Sequence, residues 1–192
     1  MPIVTKNIII MASGAGSNVR ALCLYFEQKK DINILAVFSN RALAGALDVA
    51  REYGVKAVSF SKDDWANGSV WSEMRGLNPD LIVLAGFLKQ IPASMVNLFS
   101  NKIVNIHPAL LPKYGGKGMY GLHVHQAVKD AKDLRTGITI HLVNEHYDEG
   151  AILAQYTTEL SPNDTPDVIA KKVQVLEHKY FGYEIEKWLL SQ

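Results

Sequence analysis

Residues 7–18 read NIIIMASGAGSN, an apolar run followed by a glycine-rich turn. The run from Asn7 to Met11 has the length and composition of a buried strand. The segment from Asn18 to Gln28, beyond the turn, has the apolar spacing of a helix. A strand that passes through a short glycine turn into a helix is typical of the first βα unit of a parallel sheet. The stretch therefore predicts an α/β fold.

The same alternation continues to about residue 110. Further strands are predicted at residues 34–38, 57–60, 81–85 and 103–106, and further helices at residues 44–53, 70–77 and 92–99. Because these strands are apolar on both faces, we expect a parallel sheet with helices on both sides.

The pattern changes after Pro112. Residues 112–121 hold four glycines and predict a loop, and residues 122–130 predict a short helix. Residues 137–143 and 151–160 alternate like paired strands. The last helix is predicted to begin at Thr165-Pro166, with an inward stripe of Ile169, Val173, Leu176 and Tyr180. We therefore expect one domain, residues 1–192, with a Rossmann-like parallel sheet in the N-terminal half that continues as a mixed sheet.

Composition excludes several classes of partner. The chain has 192 residues, and its 20 Lys+Arg against 19 Asp+Glu give a net charge of +1, so it has no basic field for nucleic acid or an anionic membrane. Cys23 is the single cysteine, which excludes an intramolecular disulfide and fits a reducing compartment. The N-terminal MPIVTKNIIIMASG has too short an apolar run for a signal peptide or a membrane span. We expect a cytoplasmic protein, monomeric or weakly dimeric.

The glycine-rich turn is a candidate phosphate site. Gly16, Ser17 and Asn18 lie where the first helix begins, and backbone N–H groups at a helix start bind phosphate. Val19 occupies the position where a dinucleotide fingerprint has its third glycine, and the Gly-Lys-Ser/Thr of a P-loop is missing, so one phosphate is expected rather than a dinucleotide. The alternative is a plain connection between strand and helix.

The segment IVNIHPALLP, residues 103–112, carries the candidate catalytic groups. A strand has a period of two, so Asn105 and His107 share one face. His107 also stands at the carboxyl end of a late strand, where open α/β sheets bind ligands. An amide can donate to a developing oxyanion, and an imidazole can move protons near neutral pH. The alternative is that both side chains only satisfy buried backbone groups.

The loop NEHYDEG, residues 144–150, offers a partner for the histidine. A carboxylate at Asp148 beside His107 would favour the imidazolium and raise the histidine pKa. The alternative is a solvated acidic turn. His141 shares a face with Thr139 if its strand holds, and it either lines the same cleft or caps a hydrogen-bond network.

The histidine pair His123 and His125 raises the question of a metal. Two histidines at i and i+2 diverge on a helix, and no cluster of carboxylate or thiol ligands adjoins them in the sequence. We expect no metal. Trp65, Trp71 and Trp188 are interpreted as packing anchors.

These motifs together resemble the folate-dependent formyltransferases, and among them the phosphoribosylglycinamide formyltransferases of purine synthesis. The resemblance extends from about Asn7 to Trp188. It rests on ASGAGSN (12–18), VFSN (37–40), PDLIVLAGF (79–87), NIHPALLPKY (105–114), GLHVHQA (121–127) and TGITIH (136–141).

The resemblance implies transfer of a formyl group from 10-formyltetrahydrofolate to the amine of 5'-phosphoribosylglycinamide. It also implies a phosphate-binding half at about residues 1–100 and a folate-binding, catalytic half at about residues 101–192. In the family, the residue matching His107 transfers protons, the one matching Asn105 stabilises the oxyanion and the one matching Asp148 raises the histidine pKa. By the same resemblance, the substrate would be held by Gly16, Ser17, Asn18 and Glu177, and the folate by Leu88, Lys89, Gln90, Ile91, Asn105 and Val143.

The chain departs from the family pattern at three points, and rival functions exist. Ser61-Lys62-Asp63 stands where a basic residue often meets the folate glutamate, the loop at residues 115–120 is longer, and Glu149 replaces a frequent glycine. Methionyl-tRNA formyltransferase and formyltetrahydrofolate hydrolase share similar residues but are longer chains with extra domains. We expect those domains to be absent here. An N-formyltransferase acting on a sugar nucleotide is the second enzyme hypothesis, and a non-catalytic nucleotide-binding module is the alternative outside enzymes.

Overall fold

The computed structural model describes residues 5–192. The first four residues, which begin the segment expected not to be a signal peptide, lie outside the described residues. The chain packs as two compact units. One holds the residues up to Lys89 together with Glu186–Gln192, and the other holds Gln90–Ile185.

The first unit is built on parallel strands. Its strands lie in the order β3 (Lys56–Ser59), β2 (Ile32–Ser39), β1 (Lys6–Met11) and β4 (Leu81–Leu84), and every neighbouring pair is parallel. Ile8, Ile9 and Ile10 in the middle strand β1 are fully buried, which explains why the run is apolar on both faces. The elements are β1 Lys6–Met11, α1 Ser17–Phe26, β2 Ile32–Ser39, α2 Gly45–Glu52, β3 Lys56–Ser59, α3 Lys62–Asn67, α4 Ser69–Gly76 and β4 Leu81–Leu84.

The second unit is built on antiparallel strands in the order β5-β6-β7. Its elements are α5 Ala93–Leu98, β5 Ile103–His107, α6 Leu122–Asp130, β6 Arg135–Leu142, β7 Ile152–Glu159 and the long helix α7 Pro166–Leu190, whose last residues belong to the first unit. Parallel strands in one unit and antiparallel strands in the other confirm the predicted α/β class with a mixed sheet. Among the described residues, no helix combines the length and apolar character that crossing a membrane requires.

Two predictions about helices need correction. Helix α3 is missing from the predicted elements, although Ser61 and Asp64 form a capping box at its start. On α7, Ile169 and Val173 are buried as predicted, but Leu176 and Tyr180 are only half-buried. Tyr180 instead stacks its ring on that of Tyr156 in β7, at a centroid distance of 3.6 Å. Thr165 does begin the helix, because its Oγ1 accepts the N–H of Val168.

The predicted division into halves at about residue 100 differs from the boundary between the compact units, which lies after Lys89. The single domain remains a prediction.

Aromatic side chains form a cluster in the first unit. Trp65 stacks on Phe60 with centroids 5.4 Å apart, lies 5.3 Å from the Phe87 ring and meets Trp71 edge-on at 5.0 Å. Trp65 and Trp71 therefore pack together, as expected of packing anchors. The cluster fixes Phe87, the residue that precedes Leu88.

Candidate active site

Asn105 and His107 lie on strand β5 of the second unit. In the antiparallel register with β6, Asn105 is opposite His141 and His107 is opposite Thr139. His107 is buried, with 3% of its surface exposed, and Asn105 is half-buried. A buried imidazole at a strand end must find hydrogen-bond partners within the protein.

The partners of His107 determine where its protons are. Its Nε2 is 2.7 Å from the backbone carbonyl of Tyr114. Because a carbonyl only accepts, Nε2 must carry a proton and donate it. The other ring nitrogen, Nδ1, lies 3.5 Å from Oδ2 of Asp148. Nδ1 is therefore the nitrogen at which a second proton is gained or lost, and the imidazolium has an acceptor on both sides.

Asp148 is held in place by the loop that carries it and by a second loop. Its Oδ2 accepts the N–H of Gly116 at 2.9 Å, and its own backbone has a φ of 57°. Gly150 ends this loop just before β7. A Cβ at this position would overlap the carbonyl oxygen of Leu142, so only glycine fits here. Asp148 lies beside His107 as predicted, and the alternative of a solvated turn is wrong for this carboxylate, whose side chain is 11% exposed.

The pKa values at this site reflect opposing effects. Burial lowers the pKa of His107, and the nearby Asp148 carboxylate and the Tyr114 carbonyl raise it without compensating fully, so it stays below its ordinary value. Burial raises the pKa of Asp148, but the charge of His107 and the hydrogen bond from the Gly116 N–H oppose it, and that pKa stays below its usual range. Asp148 thus raises the pKa of His107, the direction expected from the sequence, but the larger effect of burial leaves that pKa below its ordinary value.

His141 orients the Asn105 amide. Its Nδ1 lies 2.8 Å from the carbonyl of Leu142 and so must donate, which leaves Nε2 of the neutral ring as an acceptor. The Asn105 Nδ2 is 3.1 Å from this Nε2 and donates one of its two hydrogens to it. The second hydrogen has no partner among the described residues. An amide fixed in this way can donate to an anionic oxygen.

Thr139 organises the turn that follows β5. Its hydroxyl donates to the carbonyl of Ala109 at 2.7 Å and accepts both the N–H of Leu111 and the side-chain amide of Gln155 at 2.9 Å. The donor and both acceptor positions of the hydroxyl are thereby used. Neither this role nor the contacts of Gly116 and the Tyr114 carbonyl were predicted from the sequence.

The histidine pair on α6 diverges as predicted. His123 is exposed and its ring meets Tyr120 edge-on, whereas His125 is 5% exposed and its Nδ1 lacks a partner among the described residues. Burial and the nearby His107 lower the pKa of His125, so it is held neutral. Within residues 5–192, no group of three or more His, Cys, Asp or Glu side chains could hold a metal ion.

The candidate phosphate site lies in the first unit, where β1 passes into α1. Gly16 is the N-cap of α1 with a φ of 88°, and as a glycine it has no side chain with which to cap the helix. A Cβ at Gly16 would stand 2.6 Å from Cα of Ala46 on α2, so the close approach of the two helix starts requires glycine. Ser17 and Asn18 form the first helical residues, where the macrodipole favours an anion.

Ser13 connects this turn to the segment expected to hold the folate. The buried hydroxyl of Ser13 donates to the side-chain oxygen of Asn40 at 2.7 Å and accepts the N–H of Leu88 at 3.0 Å. Three strand ends of the parallel sheet are thus joined, because these residues follow β1, β2 and β4. Sequence reasoning had not identified Ser13.

The remaining predicted binding residues divide between the two units. Leu88 and Lys89 belong to the first unit with Gly16, Ser17 and Asn18. In the second unit, the Gln90 side chain lies 3.4 Å from the carbonyl of Glu145 in the loop that carries Asp148, and Val143 donates its N–H to Ile103 at the start of β5. Ile91 is buried, and Glu177 is half-buried on α7.

Comparison with known proteins gives one consistent result. The sequence profile of the formyl transferase family matches residues 6–184. The chain is 39% identical over 185 residues to the chloroplastic phosphoribosylglycinamide formyltransferase of Arabidopsis thaliana, covering 92% of this chain and 63% of the relative. It is 32% identical over 181 residues to the phosphoribosylglycinamide formyltransferase of Escherichia coli, covering 91% and 83%. A crystal structure of that enzyme from Brucella melitensis superposes with a TM-score of 0.87 at 34% identity, covering 96% of both chains. The chain thus spans less than two thirds of the plant relatives.

Proposed function

The chain belongs to the formyl transferase family, and on that basis we propose that it transfers the formyl group of 10-formyltetrahydrofolate to the amine of 5'-phosphoribosylglycinamide in purine biosynthesis. Membership implies a folate-type formyl donor. The observation that carries the proposal is the set of Asn105, His107, Asp148 and His141 in one hydrogen-bonded and electrostatic arrangement. We propose the cytoplasm as the compartment, although two relatives are named as chloroplastic.

The reaction has three steps that the protein must assist. The substrate amine attacks the formyl carbon, and the formyl oxygen becomes negative in a tetrahedral intermediate. The bond from the formyl carbon to the folate nitrogen then breaks as the folate nitrogen takes up a proton. The second Nδ2 hydrogen of Asn105 would donate to the oxyanion, a contact whose removal typically costs about 3 kcal/mol in the transition state. His107 would move the proton between the nitrogens through Nδ1, and Asp148 would stabilise its cationic form.

Substrate binding is proposed for the residues that the resemblance indicates. The start of α1 would hold the phosphate through Gly16, Ser17 and Asn18, and Glu177 would meet the ribose hydroxyls. The segment Leu88–Ile91, together with Asn105 and Val143, would contact the folate. The hydrogen bond between Gln90 and the Glu145 carbonyl supports the assignment of Gln90, because it places this residue against the loop that carries Asp148.

A direct assay tests the proposal. The purified protein is incubated with 10-formyltetrahydrofolate and phosphoribosylglycinamide, its dephosphorylated form, or an amino sugar nucleotide, and the folate product is followed by absorbance. We expect turnover with the phosphorylated glycinamide, with calorimetry showing that loss of the phosphate weakens binding. The His107→Ala variant should bind substrate and lose turnover. Preferred turnover of the amino sugar nucleotide would instead favour the second enzyme hypothesis.

A further inference from the structure

Tyr114, whose carbonyl accepts the proton of His107, has an unusual backbone. Its φ is 58°, in the left-handed region that non-glycine residues rarely adopt. Such a conformation persists only where surrounding contacts enforce it. Gly115 and Gly116 follow directly, so the chain itself supplies little stiffness at this point. The contacts of the Tyr114 side chain, together with the hydrogen bond from the Gly116 N–H to Asp148, therefore hold the carbonyl in place.

The side-chain contacts converge on one carboxylate, that of Asp133. The phenol of Tyr114 donates to Oδ2 of Asp133 at 2.7 Å, and the ammonium group of Lys113 lies 3.1 Å and 2.9 Å from the two oxygens. Hydrogen bonds from Lys113 and Tyr114 hold the pKa of Asp133 below its usual range, so the carboxylate remains an acceptor. Asp133 stands between α6 and β6, outside every motif that the resemblance rests on.

We propose that Asp133 is a positioning residue: by holding Tyr114 it fixes the proton of His107 on Nε2 and reserves Nδ1 for proton exchange. Without the Tyr114 carbonyl, no acceptor would hold the proton on Nε2, and the Asp148 carboxylate beside Nδ1 would favour the other tautomer of the neutral ring. With the proton on Nδ1, the N–H of the neutral ring would face Asp148, and Nδ1 could no longer accept a proton. The catalytic consequence depends on the proposed function, whereas the tautomer is a property of the protein alone.

Other titratable groups also face these residues and are left unchanged by the test. Asp148, in the loop before β7, and His141, on β6, act on the pKa of His107, and His107 in turn lowers the pKa of His125 on α6. Lys113 and Tyr114 are the groups that contact Asp133. A change at Asp133 therefore reaches His107 through Tyr114.

The test uses two variants that remove the same contact from opposite sides, Asp133→Ala and Tyr114→Phe, and the double variant. The control is Asp130→Ala on α6, which removes an exposed carboxylate whose one side-chain hydrogen bond among the described residues is with the amide of Gln126. Nitrogen-15 NMR of the imidazole of His107 reports its tautomer and its pKa. In the parent and the control, neutral His107 should carry its proton on Nε2. In both variants a mixture of tautomers is expected, and the double variant should be no worse than either single one.

Kinetics provide the second measurement. We expect kcat to fall about tenfold with KM within about twofold, since proton transfer contributes about 10²–10⁴ in rate and is only partly lost. An unchanged Nε2 tautomer in Tyr114→Phe, which removes a single oxygen and preserves folding, would overturn the proposal. If the parent protein does not formylate phosphoribosylglycinamide but the two variants show the tautomer change, the proposed function is refuted and the role of Asp133 is supported.

Discussion

Replacing Asp148 by asparagine should lower the pKa of His107 further below its ordinary value. Asparagine keeps the shape, can still accept the N–H of Gly116 and tolerates the backbone φ of 57°, so the loop should be preserved. What the substitution removes is a negative charge 3.5 Å from Nδ1 of the imidazole. The charge effect is thereby separated from any change of structure.

The size of the effect follows from the distance between the two groups. With an effective dielectric constant of about 20, charges 3.5 Å apart attract by about 5 kcal/mol, which is an upper bound. Carboxylates at such distances typically shift a neighbouring pKa by about 1–3 units, or about 1.4–4 kcal/mol. We expect a fall within that range. At pH 7 the imidazolium fraction then falls about tenfold for each unit, and the rate of formyl transfer should fall with it.

The assay is an NMR titration of the His107 ring in the parent, in Asp148→Asn and in Glu149→Gln. Glu149 is the matched control because it is the next carboxylate in the same loop but is exposed to solvent. The reasoning is refuted if the pKa of His107 in Asp148→Asn stays within about 0.3 units of the parent value, or if Glu149→Gln lowers it equally.

Three further outcomes are expected. Asn105→Ala should lower kcat by about 10²–10³ with little change in substrate affinity, because its amide is proposed to meet the oxyanion only as charge develops; equal losses in kcat and affinity would contradict this. Gly16→Ala should cost at least about 1–2 kcal/mol of unfolding free energy and weaken phosphate binding, because the methyl group would stand 2.6 Å from Ala46 at a φ of 88°, whereas Gly14→Ala, with nothing within 4 Å, should be tolerated in chemical denaturation. Stability should fall as pH drops below about 6.5, since the pKa of buried His107 is lowered and the unfolded chain therefore takes up the proton first; denaturation at pH 7.5 and 5.5 should show the loss, and His107→Gln should reduce it.

Local sequence patterns predicted the strands and most helices. Burial of one face makes apolar residues recur every two positions in a strand and about every 3.6 positions in a helix, so both patterns are visible in the sequence. Helix α3 was missed because none of its residues is buried, so it has no apolar periodicity, and only the Ser61–Asp64 cap marks its start. The half-burial of Leu176 and Tyr180 depends on which neighbours α7 meets, and spacing along one helix does not contain that information.

In the candidate site, the side-chain groups were predictable from the sequence and the backbone groups were not. Asn105, His107 and Asp148 were identifiable because their side chains have chemistry that an apolar strand or a turn does not need. The Tyr114 carbonyl and the Gly116 N–H are backbone groups that every residue has, so their roles have no signature in the sequence. The raising effect of Asp148 on the pKa of His107 was predictable from its charge, whereas the net pKa also depends on the extent of burial, which is known only from the packed structure.

The aromatic cluster of Phe60, Trp65, Trp71 and Phe87 makes the first unit optically observable. Two of the three tryptophans lie in this cluster, where Trp65 contacts the ring that precedes the exposed side chain of Leu88. The emission of an indole depends on its surroundings, so we expect a molecule that binds against Leu88 and displaces the Phe87 ring to change the fluorescence of Trp65. Binding to this segment could then be followed by stopped-flow fluorescence without a label.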